Sequence, residues 1–193
     1  MEFAFTTGQQ SLRLLPPDPT LCTALAHALN TSHVAHAEFL PWARPHTTEE
    51  QALEFLLMSR DDFSSETGER RWFIVTDDGQ TVLGCIGLKP RRRNRYVVGY
   101  WANTEHSGKG YMRAALSRLL CGFPDAAFYL SASSANTRSQ RLAESVGFEL
   151  IRVHRAARNS PQHGVQDTLA YRLDAKSEAK KKPAGERGRT VVS

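Results

Sequence analysis

Apolar positions recur along this chain with two different periods, and the places where the period changes mark out its elements. Ser11 to Leu15 alternates like a strand and is closed by Pro16 and Pro17. Asp18 then caps a helix with Pro19 in its first turn; Leu21, Cys22, Leu25 and Leu29 follow at helical spacing, and the helix ends near Asn30. After an irregular stretch, Thr47 with Glu50 three residues on forms a capping box for a second helix through Leu53, Leu56 and Leu57. From Arg71 the pattern shortens. Residues 71–76 and 81–89 are β-branched and aromatic runs joined by Asp77-Asp78-Gly79-Gln80, a hairpin turn because Asp-Gly tolerates positive φ. A third run, Tyr96 to Ala102, follows a basic loop and completes an antiparallel meander. Next comes a helix in which Met112, Ala115, Leu116, Leu119 and Leu120 form one apolar stripe, stopped by Gly122 and Pro124. The strand 127–133 leads to a helix capped by Asn136 and ended by Gly147, with Leu142, Ala143 and Val146 as its buried face. Two last runs, 148–155 and 167–173, flank a turn from Asn159 to Gly164.

The resulting order is strand, two helices, three strands, helix, strand, helix, two strands. It predicts the α+β class, a mixed α/β sandwich in which a helical crossover sets the strand at 127–133 parallel to the one at 96–102. Apolar periodicity stops near Asp174, so residues 1–174 read as one domain and 175–193 as a disordered tail.

Charge changes this picture in one respect. The chain of 193 residues carries a formal net charge of +5, but residues 175–193 hold six basic and two acidic side chains, so the domain itself is almost neutral. Cys22, Cys85 and Cys121 are odd in number, widely spaced and set in apolar runs, which predicts reduced core thiols and neither a disulfide nor a metal site. There is no basic, apolar leader and no apolar run of about 18 residues, so neither a membrane span nor secretion is expected and the cytoplasm is the expected compartment.

The segment richest in chemical content is Ser107-Gly108-Lys109-Gly110-Tyr111-Met112, between a strand and the strongly amphipathic helix. Glycines there leave successive backbone N–H groups at a helix start free to converge on a phosphate; taken alone, the segment also fits an ordinary glycine-rich turn. A Walker A loop would need Gly where Asn103 stands and Ser or Thr where Gly110 stands. A dinucleotide fingerprint would need Gly at Arg113, after a parallel rather than an antiparallel strand.

The segment resembles the pyrophosphate loop of the GCN5-related N-acetyltransferases (GNAT), Arg/Gln-x-x-Gly-x-Gly/Ala, with Ser107 in place of Arg/Gln and Met112 in place of the small residue. Three blocks, GYWANTEHSGKGYMRAAL, SANTRSQRLAESVGF and QDTLAYRL, together with the early EFLPWA, are similar to the RimJ/RimL-type N-terminal acetyltransferase branch, from about Leu12 to Leu173. The resemblance implies a mostly antiparallel mixed sheet with a splayed strand pair for acetyl-CoA. It implies pyrophosphate on the backbone from Gly108 to Met112, including Lys109, Gly110 and Tyr111, and pantetheine pairing with the strand edge at Trp101 and Ala102 like an added strand. It further implies that Asn136 contacts the CoA arm and that Ser139 protonates the leaving thiolate.

The acceptor must be an uncharged amine, since an ammonium has no lone pair; an α-amine near pKa 7.7–8 meets that need far more easily than a lysine. The strand Tyr96–Ala102 carries no carboxylate, which leaves Glu105, Glu38 and His154 as candidates to assist the amine. In the RimL-type pattern an acid lies near the end of the penultimate strand, where this chain has His154 to Arg158. Glu38 and Trp42 are assigned to the acceptor pocket. Arg91, Arg92, Arg93 and Arg95 crowd one loop, either as a solvated hairpin tip or as a site for the CoA 3′-phosphate or an acidic partner.

These features predict an acetyl-CoA-dependent N-acetyltransferase acting on a protein or peptide N-terminus by direct attack, with no metal. A small-amine (antibiotic or polyamine) acetyltransferase is the alternative within enzymes. A noncatalytic module that binds the ribosome or nucleic acid through the basic tail is the alternative outside them, and its binding would weaken steeply with salt.

Overall fold

In the computed structural model, which describes residues 2–8 and 10–175, eight strands form one sheet: β1 (Phe3–Thr7), β2 (Gln10–Leu15), β3 (Arg70–Thr76), β4 (Val82–Arg91), β5 (Arg95–Ala102), β6 (Ala127–Ser133), β7 (Glu149–Ser160) and β8 (Gly164–Asp174). Their order across the sheet is β1-β2-β3-β4-β5-β6-β8-β7. Every neighbouring pair is antiparallel except β5 and β6, which run parallel. Five helices cover the sheet: α1 (Cys22–Thr31), α2 (His33–Phe39), α3 (Glu49–Ser64), α4 (Tyr111–Leu120) and α5 (Thr137–Val146).

The central strands are apolar on both faces because both faces are covered. Along β3, Trp72 and Ile74 enter a core shared with Ala115, Leu116 and Leu119 of α4, whereas Phe73 and Val75 enter one shared with Leu25 of α1 and Leu56 of α3. The mixed sandwich expected from the element order is thus present, with α1 and α3 on one face and α4 and α5 on the other.

The parallel pair positions the site. β5 and β6 are in register only at Arg95↔Ala127, Tyr96↔Phe128 and Val97↔Tyr129. Beyond Val97 the strands diverge: β5 stays with β4 through Ala102 and β6 with β8 through Ser133, leaving a wedge at their C-terminal ends.

Several elements differ from expectation. β1 was not expected; its Phe3-Ala4-Phe5 alternation is short, and it gains order by pairing with β2 through a turn at Gly8. α2 emerges from the irregular stretch, one residue after α1. The capping box of α3 is Thr48 with Gln51, one position later than Thr47 with Glu50. Both registers satisfy the pattern, but Asn30 clamps the Thr47 backbone, its side chain bonding the N–H at 2.7 Å and the carbonyl at 2.9 Å, and so fixes Thr47 outside the helix. The last hairpin is longer than expected on both arms. All three cysteines are free; Cys85 is buried, but Cys121 is exposed at the end of α4, past its apolar stripe. Of the expected tail, 176–193 lie outside the described residues.

Candidate active site

The wedge is pinned open by the residues that follow β5. Asn103 is buried; its backbone N–H donates to the Leu83 carbonyl at 2.9 Å, its side-chain amide to the Val82 carbonyl at 3.0 Å, and its Oδ1 accepts from the Glu105 N–H. Thr104 N–H donates to buried Ser32 Oγ at the α1–α2 junction. The chain is therefore anchored where it leaves the sheet, and the glycine loop projects from a rigid base. Gly108 and Gly110 both have positive φ, 78° and 77°, and a Cβ on either would meet nothing within 4 Å. Gly110 N-caps α4 without a side-chain bond, so the first-turn N–H groups face the wedge free of a capping side chain, the arrangement that attracts a phosphate.

Across the wedge α5 presents a second helix start. Asn136 Oδ1 accepts from Ser139 N–H at 3.1 Å, and Ser139 Oγ lies 2.9 Å from Tyr100 Oη, which also donates to the Ser139 carbonyl at 3.1 Å. Burial pushes the Tyr100 phenol up, partly offset by its bond to Ser139, so it is a neutral donor at physiological pH. Together these groups wall a cleft of about 1340 Å³ whose surface includes β5 from Val98 to Ala102, β6 from Leu130 to Ser133, the loop at Ser107, Gly108 and Gly110, Tyr111, Met112, Asn136, Ser139 and Glu38. Arg113, Arg138, Arg141 and Arg158 also line it, against one acidic lining residue, Glu38, among the described residues. Such walls suit a polyanion with an extended arm.

The expected site residues separate into two groups. Trp101, Ala102, Ser107, Gly108, Gly110, Tyr111, Met112, Asn136, Ser139 and Glu38 meet around one cleft. Lys109 stands outside its wall, with its ammonium 6.0 Å from the Tyr111 ring centroid. Glu105 does not reach the cleft; its carboxylate pairs with His27 at 3.2 Å in a separate groove of about 900 Å³, because the short turn after Asn103 rotates it away. Trp42 is half exposed and does not itself line the cleft; it packs on His36, which does. His154 lies exposed on β7 opposite Thr168, and Arg91 to Arg95 form the β4–β5 hairpin tip, both outside the cleft.

Two further residues, His36 and His163, carry no sequence signature. Buried His36 bonds the Ala102 carbonyl through Nε2 at 3.0 Å and meets the Trp101 ring edge-on, so that carbonyl is already engaged. Burial holds the His36 imidazole below its usual range, against the raising effect of that carbonyl. Glu38 bonds His163 Nε2 at 2.7 Å while Phe39 stacks on the same ring, so the β7–β8 turn straps α2 at the cleft mouth. Among the described residues no cluster of side chains could hold a metal ion, and no helix is long and apolar enough to cross a membrane.

A splayed parallel pair, a glycine-opened helix start beside it and arginines around the rim define an acyltransferase that takes its acetyl group from acetyl-CoA. Residues 11–149 match the acetyltransferase (GNAT) domain family, and the chain belongs to it. Solved structures agree in fold. RimL, a ribosomal L7/L12 alpha-N-protein acetyltransferase in complex with coenzyme A, is 16% identical with a TM-score of 0.77, covering 90% of this chain and 98% of that one. The microcin C7 self-immunity acetyltransferase MccE, in complex with acetyl-CoA and AMP, is 20% identical with a TM-score of 0.73, over 86% and 93%. The ribosomal-protein-S5-alanine acetyltransferase from Vibrio fischeri is 15% identical with a TM-score of 0.71, over 94% and 100%. No curated protein sequence matches the chain significantly.

Proposed function

We propose that this acetyltransferase modifies the N-terminal α-amine of a protein or peptide, in a cytoplasmic setting that suits its free thiols. The carrying observation is the makeup of the cleft: a wedge for the acetyl-CoA arm that opens at α2, where Val34 and Phe39 supply apolar surface and Glu38 is the one lining acid among the described residues. A polyamine or aminoglycoside needs several carboxylates to hold its charges; an N-terminus needs room for one amine and an apolar approach for the chain behind it. The solved RimL and S5-alanine acetyltransferases, named for ribosomal protein acceptors, support the same reading.

The assigned roles follow from position. Backbone N–H groups from Gly108 to Met112 hold the pyrophosphate, and the β5 edge from Val98 to Trp101 takes the pantetheine arm as an added strand. The α-amine, with a sizeable uncharged fraction at neutral pH, attacks the thioester carbonyl; the C–S bond breaks, and Ser139, fixed by Tyr100, delivers a proton to sulfur. Residues 1–174 constitute the catalytic domain. The basic tail 175–193 is assigned to encounter with an acidic partner such as a ribosome, not to the chemistry.

Incubation with acetyl-CoA and a panel of peptides and small amines, read by free CoA thiol and by product mass, tests the reading. Acetylated peptides are expected. Turnover confined to polyamines or aminoglycosides would overturn the acceptor assignment, and no acetyl-CoA-dependent product would overturn the enzyme reading.

A further inference from the structure

β5 carries no carboxylate, yet one reaches it from two strands away. Gly87 of β4 and Gly99 of β5 stand directly opposite each other in the ladder, so the sheet has a notch with no side chains at that point. Glu69, immediately before β3, lays its carboxylate into the notch. A Cβ at Gly87 would overlap Glu69 Oε1, and the same oxygen lies 4.0 Å from where a Cβ of Gly99 would stand. Gly99 is part of the cleft wall.

The carboxylate is held by its other oxygen. Arg71 donates to Glu69 Oε2 at 2.7 Å and to Asp62 at 2.9 Å, with its guanidinium 5.3 Å from the Phe55 ring centroid on α3. Glu69 therefore sits on the α1–α3 face of the sheet, the face of Trp101 and His36, and opposite the side where α4 and Ser139 lie. Oε2 is fixed, while Oε1 is directed along the notch toward β5.

We propose that Glu69 is the catalytic carboxylate that accepts the acceptor amine's N–H at Gly99 and takes its proton as the N–C bond forms; the assignment rests on the acetyltransferase reading above. The protons balance. The amine lone pair forms the new bond to the carbonyl carbon, the C–S pair leaves on sulfur, sulfur receives the Ser139 hydroxyl proton, the nitrogen's proton passes to Glu69 and on to solvent, and Ser139 regains a proton from solvent. A carboxylate is a weak base toward a free ammonium, but the nitrogen becomes strongly acidic once it is bonded to the carbonyl carbon, so its proton runs downhill to Glu69 at that stage. Of these residues Gly99 lines the cleft and Gly87 and Glu69 do not, so the proposed approach of the amine to the carboxylate runs over the bare Gly99 backbone.

Glu69→Gln tests this, with Asp62→Asn as the control that cuts the other arm of the Arg71 pair. Both variants disturb the same ion-pair network, and both are checked for melting temperature and acetyl-CoA affinity. Glu69→Gln is expected to lower kcat on a peptide acceptor by about 100-fold at pH 7, the scale of a general base. Acetyl-CoA affinity should stay within twofold, and the deficit should narrow toward pH 9 as hydroxide replaces the carboxylate. Asp62→Asn should keep kcat within twofold. Equal rates for Glu69→Gln and wild type, or an equal loss in both variants with no pH signature, would overturn the assignment alone. A wild-type protein that acetylates no amine would overturn the assignment together with the acetyltransferase reading.

Discussion

Gly110→Ala separates a phosphate cradle from an ordinary glycine turn. Gly110 has φ 77° and open space where a Cβ would go, so in the free protein the substitution costs only the left-handed conformation, about 1 kcal/mol. In a chain of this size that lowers the melting temperature by about 3 °C. With acetyl-CoA the cost is larger. The methyl would occupy the approach to the first-turn N–H groups of α4, and loss of two charge-assisted hydrogen bonds at about 1.5 kcal/mol each weakens binding by about 100-fold. Gly79→Ala is the matched control: its φ is 72°, its only near neighbour is the Arg13 side-chain tip at 3.2 Å, and it sits in the β3–β4 turn outside the cleft. Calorimetric titration of acetyl-CoA into both variants, alongside thermal melts, should show similar melts and a large difference in affinity. Equal affinities would refute the cradle.

Three other outcomes follow from the geometry. Tyr100→Phe removes both bonds to Ser139 while keeping the ring, so kcat should fall about tenfold with acetyl-CoA affinity unchanged; added to Ser139→Ala, which removes the proton donor itself, it should cost little more, since the two act as one unit. Glu105→Gln should leave kcat within twofold in steady-state assays, because Glu105 faces the other groove. Burial lowers the His36 pKa, so below about pH 6.5 the unfolded chain binds a proton that the folded site resists. Its contribution to stability is complete above that pH and is lost as pH falls through the lowered folded value. Melts from pH 7.5 to 5 should therefore slope less in His36→Gln than in wild type.

The elements built on strong local periodicity were readable in advance: the stripe from Met112 to Leu120, the Asp78-Gly79 hairpin and the parallel crossover between β5 and β6 all stand where the residues place them. What could not be read depends on contacts distant in sequence. β1 is ordered by β2, and the start of α3 is chosen between two equivalent capping patterns by Asn30. The residues proposed to hold the cofactor lie on one continuous segment plus the start of α5, and so leave a local motif. The other contacts around the cleft do not: His36 of α2, Tyr100 of β5 and Glu69 just before β3 gain meaning only through Ala102, Ser139 and the Gly87–Gly99 notch. Glu105 looked suitable because it adjoins the motif, but a single short turn points it into the neighbouring groove.

The central claim is transfer of acetyl to an N-terminal α-amine. Its most direct test is one peptide carrying both a free N-terminus and an internal lysine, incubated with acetyl-CoA and sequenced by tandem mass spectrometry, beside the same peptide with its N-terminus blocked. Acetyl on the α-amine alone, and none on the blocked peptide, is the expected result; acetyl on the lysine in either peptide, or on neither amine, would contradict it.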